Sequence, residues 1–207
     1  RRKKELEEIG ELEKFKTKVD IAIELIDVAI ELGVNFNTGV FDAWYFTKRI
    51  RDHLESRGKD WVSRAKLNRV VNLPIGKTNL KDWLNNLANN QYNKLPIPQY
   101  LINEENGEEA EYQYVYDTIL DLSDLGSVRC IAIKKDLEDD TGIILVTNRL
   151  DWDVSKVIAI YKSRWKIETF YRDSRQYLGF DKYQLRSIEG IKRYWALVIL
   201  AYTFLQY

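Results

Sequence analysis

Helical and strand patterns alternate over the first third of the chain, and this alternation most constrains the fold. Residues 15–32 place apolar side chains at helical spacing and are followed by Gly33, a residue that commonly ends helices. A β-prone run at 38–41, a helical pattern at 43–57 and a second β-prone run at 60–66 come next. The order helix, strand, helix, strand predicts an α/β fold in which helices cover a mostly parallel sheet.

The middle of the chain has a different texture. Asn, Gly and Pro are frequent over 68–98, where we predict one short helix at 79–90, and the acidic tract at 104–111 is typical of a solvated loop. Three apolar or alternating runs separated by turn residues follow, at 112–120, 128–134 and 142–147. Such runs are typical of an antiparallel β unit, so we predict a β-rich insertion over 68–150.

The last part of the chain returns to helical patterns. Residues 161–175 contain no Gly or Pro, which predicts a single helix ending near Gly179, and a further helix is predicted over 188–207. On a single helix, four polar side chains would share one stripe: Tyr161, Arg164, Glu168 and Arg175. The carboxylate could hold a divalent metal and the guanidinium groups could bind phosphate, or Arg164 and Glu168 could form an ordinary ion pair at i,i+4.

Composition narrows the class of protein. The 207 residues are 45% hydrophobic, which is enough to bury a sizeable core. Lys plus Arg (32) balance Asp plus Glu (32), so any basic surface for nucleic acid must be local. One cysteine excludes an internal disulfide, one histidine excludes a histidine-pair metal site, and no apolar run is long enough for a membrane span. We expect a cytoplasmic, reduced protein.

Several single residues have alternative interpretations. We predict that His53 lies on the surface, that Cys130 is a buried inert thiol, and that Trp44 and Tyr45 pack in the core. Two basic residues after the second strand could meet DNA phosphates or form a solvated edge. They are Lys66 and Arg69.

Two separated stretches resemble the insertion-sequence transposases of the IS4 type. Residues 39–50 (GVFDAWYFTKRI) with 61–69 (WVSRAKLNR) are similar to the region around the second catalytic aspartate of that family. Residues 145–183 resemble its C-terminal signature of Tyr, Arg, Glu and Lys at fixed spacing. Both stretches occur in the family's order, with a β-rich segment between them.

The resemblance implies a partial ribonuclease H-like fold, an α/β arrangement of a mixed sheet with flanking helices, interrupted by a β-rich insertion. On this basis we assign 1–67 to the first part of the core, 68–150 to the insertion and 151–207 to helices that complete the core. The resemblance also leaves room for either Trp44 or Tyr45 to border a DNA channel.

The resemblance also implies cut-and-paste transposition of double-stranded DNA at transposon ends and target. Asp42 and Glu168 would be the catalytic carboxylates and the ligands of Mg²⁺ or Mn²⁺, and two such ions ~4 Å apart activate a nucleophile and stabilise a leaving oxygen. Tyr161 and Arg164 would contact transposon-end DNA. Arg175 replaces the signature lysine and would bind DNA with altered geometry. A homodimer on DNA, associated with the nucleoid, is implied as well.

One member of the family's carboxylate triad has no counterpart. The first aspartate belongs on a strand upstream of Asp42, while Asp20 and Asp27 both lie in the first predicted helix. We therefore expect the chain to be the C-terminal portion of a longer transposase. The alternatives are an inactive remnant that binds DNA or a transposase, and a ribonuclease H-like nuclease that serves repair or defence.

Overall fold

The computed structural model describes residues 15–96, 112–138 and 142–206, together with residues 4, 7 and 8. The predicted acidic loop at 104–111 lies outside these residues. The chain divides into two compact units, Arg1–Tyr161 and Lys162–Tyr207. Across the described residues, no helix is long and apolar enough to cross a membrane.

The described elements follow the predicted order as far as residue 64, whereas the strands at 70–73, 76–79 and 93–96 were not predicted. The helices are α1 (Lys18–Glu31), α2 (Lys48–Ser56), α3 (Leu80–Asn85), α4 (Val154–Lys162), α5 (Trp165–Leu178) and α6 (Ile188–Leu205). The strands are β1 (Thr38–Phe41), β2 (Asp60–Arg64), β3 (Val70–Leu73), β4 (Gly76–Asn79), β5 (Asn93–Pro96), β6 (Tyr112–Leu122), β7 (Gly126–Lys134) and β8 (Gly142–Thr147).

All eight strands belong to one mixed sheet in the first unit. Their order is β1-β2-β8-β7-β6-β3-β4, and β5 pairs with the other part of β6. Only the β1–β2 pair is parallel, with Thr38 opposite Asp60, and every other described pair is antiparallel. The predicted mixed α/β fold class is confirmed. The prediction of a mostly parallel sheet is wrong, because among the described strands only β1 and β2 pair in parallel. The domain boundaries after residues 67 and 150 stay predictions.

Side chains of the central strands alternate between two apolar cores, one on each face of the sheet. In β7, Cys130 and Ala132 enter the first core, which helices α2 and α3 cover, while Ile131 and Ile133 enter the second. Val157 and Ile158 of α4 close the second core. Period-two alternation with both faces buried is what a central strand of a covered sheet requires.

Cys130 is fully buried in the first core, as predicted. Burial raises the pKa of its thiol to about 12, because the thiolate would lose its hydration there. The side chain therefore behaves as a small apolar group.

Helix α2 begins five residues later than predicted. The side chain of Thr47 caps it by accepting a hydrogen bond from the Ile50 N–H (3.4 Å), and residues 42–46 form a turn instead. One face of α2 carries Ile50 and Leu54 into the first core. The loop thereby places Asp42 at the end of β1 and outside the helix.

The prediction for His53 is wrong in part, because its side chain is only 18% exposed. Its Nε2 atom lies 3.0 Å from Oδ1 of Asp27 in α1, and Nη2 of Arg57 lies 2.7 Å from the same oxygen. A polar contact between α1 and α2 accounts for the histidine.

The second unit consists of α5, α6 and the segment between them. Its rings pack as a cluster: Phe180 stacks on Trp195 with centroids 5.5 Å apart, and Phe170 meets Tyr202 edge-on at 4.9 Å. Helix α5 ends at Gly179, whose φ of 64° is left-handed, and the Tyr194 hydroxyl donates to its carbonyl oxygen (2.8 Å).

The prediction of a single helix over residues 161–175 is wrong. Helix α4 ends at Lys162 and α5 begins at Trp165. Between them the backbone tightens to i,i+3 hydrogen bonds, from the Lys166 N–H to the Ser163 carbonyl and from the Ile167 N–H to the Arg164 carbonyl, both 3.1 Å. No Gly or Pro marks this break, so the sequence pattern gave no signal of it.

Candidate functional site

Asp42 follows directly after β1 and is held by its own loop. Its Oδ1 atom accepts hydrogen bonds from the backbone N–H groups of Trp44 (2.8 Å) and Tyr45 (3.3 Å). This Asx-type turn fixes the direction of the carboxylate. The structure pairs Oδ2 with nothing among the residues that it describes, so one oxygen is available to a ligand.

A buried hydroxyl in the neighbouring strand supports the end of β1. The Ser63 side chain in β2 is fully buried, and its Oγ lies 3.1 Å from the Phe41 carbonyl oxygen and 3.4 Å from that of Asp42. The hydroxyl donates to one of these acceptors at a time. Ser63 was not predicted as a functional residue; its signal is a hydroxyl directly after two apolar residues of a β-prone run, Trp61 and Val62.

The aromatic residues after Asp42 do not pack in the core, contrary to the prediction. Trp44 is 80% exposed and Tyr45 40% exposed. The ammonium group of Lys66 lies 5.0 Å from the centre of the Trp44 ring, a cation–π contact. Phe46, four residues after Asp42, supplies the buried aromatic of this loop instead.

The two basic residues after β2 have different surroundings. Lys66 is half-buried, whereas Arg69 is 9% exposed and hence buried. Arg69 donates through Nη2 to the Phe46 carbonyl oxygen (2.7 Å) and pairs through Nη1 with Asp124. The solvated-edge interpretation is therefore wrong for Arg69, which ties the loop after Asp42 to the turn between β6 and β7.

In the second unit, Arg164 and Glu168 lie together. Arg164 precedes the first residue of α5, and its Nη1 donates to Glu168 Oε1 (2.7 Å), one turn along the chain. The i,i+4 ion pair considered from the sequence is thus present. Glu168 lies in the first turn of α5, where the helix dipole favours a negative charge, and its side chain is 42% exposed.

The other two members of the predicted stripe lie elsewhere. Arg175 is exposed in the last turn of α5, two turns beyond Glu168. Tyr161 belongs to α4 and packs against the second core of the first unit. The prediction that all four side chains lie on one helix is therefore wrong, because the helix ends at Lys162 and a new one begins at Trp165.

The donor chemistry of Asp42 and Glu168 fits a hard divalent cation. Carboxylate oxygens are the ligands that Mg²⁺ and Mn²⁺ prefer, and each side chain has one oxygen engaged by a donor of its own unit. Within the described ranges, no group of three His, Cys, Asp or Glu side chains is arranged to hold a metal ion. Each carboxylate therefore fits as one ligand of a divalent cation, and neither unit provides a complete ligand set among its described residues.

Comparison with known proteins identifies the family. A search of curated proteins finds no match to the chain. A family model described as Transposase DDE domain matches residues 20–204, which include the whole of the described sheet and nearly all of α6. The chain belongs to the Transposase DDE domain family.

Proposed function

We propose that this chain is the catalytic part of a metal-dependent DNA transposase of the IS4 type. It would cleave and join double-stranded DNA at insertion-sequence ends by phosphoryl transfer. The observation that carries the proposal is Asp42, whose carboxylate is fixed by two backbone N–H groups at the end of a parallel strand within a chain of this family. A rigid carboxylate at a strand end is a suitable support for a metal ligand.

Asp42 and Glu168 would each serve as a ligand of divalent cations, Mg²⁺ or Mn²⁺, during the reaction. When bound, such ions polarise the scissile phosphate and lower the pKa of a bound water. The turn of Asp42 keeps Oδ1 occupied by N–H donors, which leaves Oδ2 for the metal. Arg164 holds Oε1 of Glu168 and leaves Oε2 in the same role.

Three residues would bind the DNA backbone. Arg164 carries a guanidinium group that can also reach a phosphate oxygen, and Arg175 offers an exposed cation in the last turn of α5. Tyr161 would contact the transposon end, through its hydroxyl or its ring. A homodimer assembled on DNA would present two such sites to two transposon ends.

The test is DNA cleavage by the full-length protein with Mg²⁺ or Mn²⁺ and its end sequences. We expect Asp42→Asn and Glu168→Gln each to lower the cleavage rate at least about 100-fold, since loss of a metal ligand exceeds the loss of an outer-shell partner. Calorimetry should show weaker Mn²⁺ binding in both variants, and a chelator should stop cleavage by the native protein.

Matched controls separate ligand loss from a general effect of removing a negative charge. Asp136 accepts a backbone N–H two residues on, as Asp42 does, and Glu189 pairs with Arg193 on an exposed helix face. Asp136→Asn and Glu189→Gln should cleave like the native protein. Native cleavage rates in Asp42→Asn or Glu168→Gln would contradict the proposal.

A further inference from the structure

A second feature of the first unit lies beside the Asp42 loop. An open cleft of about 350 Å³ is lined by the end of that loop, the first residue of α2, the segment before β3 and the turn between β6 and β7. Its charged lining residues are Lys48, Lys66, Arg69 and Asp124. A cleft of this size admits a phosphate group with its attached sugar.

The charges lining the cleft are mostly positive. Lys48, Lys66 and Arg69 face one carboxylate, Asp124, which Arg69 already engages. In the part of the chain that the structure describes, neither lysine lies within 4.0 Å of an acidic group. The ring of Trp44 orients Lys66 but leaves its charge unneutralised. Two uncompensated ammonium groups therefore share one concave surface.

The start of α2 adds to this positive potential. The first N–H groups of a helix have no acceptor within the helix, and the helix dipole makes that end positive. Acidic residues normally occupy such a first turn, but the first turn of α2 has none and instead begins with Lys48. A lysine at the positive end of a helix is unfavourable unless an anion neutralises both.

The burial and hydrogen bonding of Arg69 provide a third, independent indication of an anion site. It is a buried cation whose Nε atom, in the described structure, has no hydrogen-bond partner. Its other nitrogens hold the Phe46 carbonyl oxygen and Asp124, so the guanidinium group is fixed in the wall of the cleft. A preorganised guanidinium group behind two lysines is typical of a phosphate site.

We propose that this cleft binds a phosphate group, supplied either by the backbone of a DNA strand or by free phosphate. Lys48, Lys66 and the N–H groups at the start of α2 would contact its oxygens, while Arg69 contributes fixed positive charge. With DNA as the source, the proposal rests on the function proposed above and adds a backbone contact at Lys48, six residues after Asp42.

The experiment uses the full chain and two probes. Inorganic phosphate is titrated while the amide resonances of Lys48 and Arg49 are followed by NMR. Binding of a DNA duplex is measured by fluorescence anisotropy at several salt concentrations. Lys48→Gln with Lys66→Gln should abolish the phosphate-induced shifts and reduce the slope of log affinity against log salt by about 2, about one for each lysine.

The control is Lys77→Gln with Lys81→Gln, which removes two exposed lysines of the same unit outside the cleft. It should keep the native phosphate shifts and a larger salt slope than the cleft variant. If only the cleft variant loses the phosphate-induced shifts but the two variants have the same salt slope, the result supports the site with free phosphate as its ligand. Equal behaviour of both variants with both probes would overturn the proposal.

The same data separate this proposal from the proposed function. Cleavage is measured with the native protein. Lys48 and Lys66 are not among the proposed metal ligands. Phosphate binding that depends on the cleft lysines in a protein without cleavage would reject the transposase activity and support the cleft.

Discussion

At the residue scale, Asp42 depends on atoms that are not its own. The N–H groups of Trp44 and Tyr45 orient its carboxylate, and the Ser63 hydroxyl engages the carbonyl groups at the end of β1. A buried hydroxyl must find an acceptor, because an unsatisfied polar group in an apolar core is costly. Ser63 therefore links the geometry at Asp42 to the stability of the β1–β2 pair.

We expect Ser63→Ala to lower the free energy of unfolding by about 1 kcal/mol, because a buried hydrogen bond is lost and its acceptors stay in place. Urea denaturation followed by circular dichroism measures the change. Ser56→Ala is the control, since Ser56 donates to the His53 carbonyl oxygen at an exposed position and should change stability by less than about 0.5 kcal/mol. Equal effects of the two substitutions would contradict the role of Ser63.

Residue identities predicted burial correctly for Cys130 in a regular strand, only in part for His53 in a helix, and poorly in loops. Cys130 is buried as its apolar strand predicts. Trp44 is exposed and Arg69 is buried, the reverse of what their hydrophobicity indicates. Both lie outside helices and strands, where the path of the backbone decides burial and no periodicity reveals it. The position of Asp42 at the end of β1 followed from the sequence because β1 itself was predicted.

At the scale of elements, regular periodicity located the longer helices and strands but not the short strands β3, β4 and β5, and tertiary contacts set the ends of the elements. The predicted runs at 128–134 and 142–147 correspond to β7 and β8. The break between α4 and α5 was missed, since it consists of i,i+3 hydrogen bonds that need no Gly or Pro. Tyr161 therefore does not share a helix with the other predicted site residues, whereas Glu168 and Arg175 both lie in α5, seven residues apart as predicted.

The end of α5 tests a local prediction. Gly179 has a left-handed φ of 64°, and a Cβ atom there would lie 3.3 Å from the Tyr194 hydroxyl oxygen. Gly179→Ala should reduce the free energy of unfolding by more than 1 kcal/mol, because backbone strain adds to a tight contact. The measurement is chemical denaturation followed by tryptophan fluorescence, since Trp195 lies in the same unit.

Gly33 is the matched control for this substitution. Its φ of 72° is equally left-handed, but a Cβ atom there would have no neighbour within 4 Å. Gly33→Ala should therefore cost about 1 kcal/mol from backbone strain alone. A smaller effect at Gly179 than at Gly33 would show that the contact with Tyr194 does not constrain the helix end.

At the scale of the whole molecule, the buried Arg129 connects several parts of the sheet. Arg129 in β7 forms a two-pronged pair with Asp117 in β6, through Nε (2.9 Å) and Nη2 (2.8 Å). Its Nη1 donates to carbonyl groups of the loop after β8, including that of Arg149 (3.2 Å). The hydrogen bond to Asp117 raises the pKa of Arg129, so its charge is permanent at all ordinary pH values.

We expect Arg129→Gln to destabilise the protein by about 3 kcal/mol, because it leaves Asp117 without its partner and the loop after β8 without a donor. Arg193→Gln removes an exposed i,i+4 pair and should cost less than about 0.5 kcal/mol. Thermal unfolding of both variants at one pH makes the comparison. Equal melting temperatures would contradict the structural role of Arg129.

The overall architecture could be predicted only in part. Alternating and continuous apolar runs indicated strands, and helical spacing of apolar residues indicated helices in the first and last parts of the chain. The resemblance to the transposase family implied the mixed sheet. The strand order could not be derived, because β2 pairs with β8 across more than 80 residues and no local pattern encodes that contact. The division between Tyr161 and Lys162 likewise depends on the packing of α4 against the second core and leaves no compositional mark.

Cys130 lies in the central strand β7 with its thiol in the first core, and it is the one cysteine of the sequence. A thiol reagent can reach it only when the sheet opens, since the folded state both covers the sulfur and suppresses the reactive thiolate. The rate at which the protein is labelled is therefore governed by the opening of its first unit. The chain thus contains a chemical reporter of its own unfolding, and no residue has to be introduced to use it.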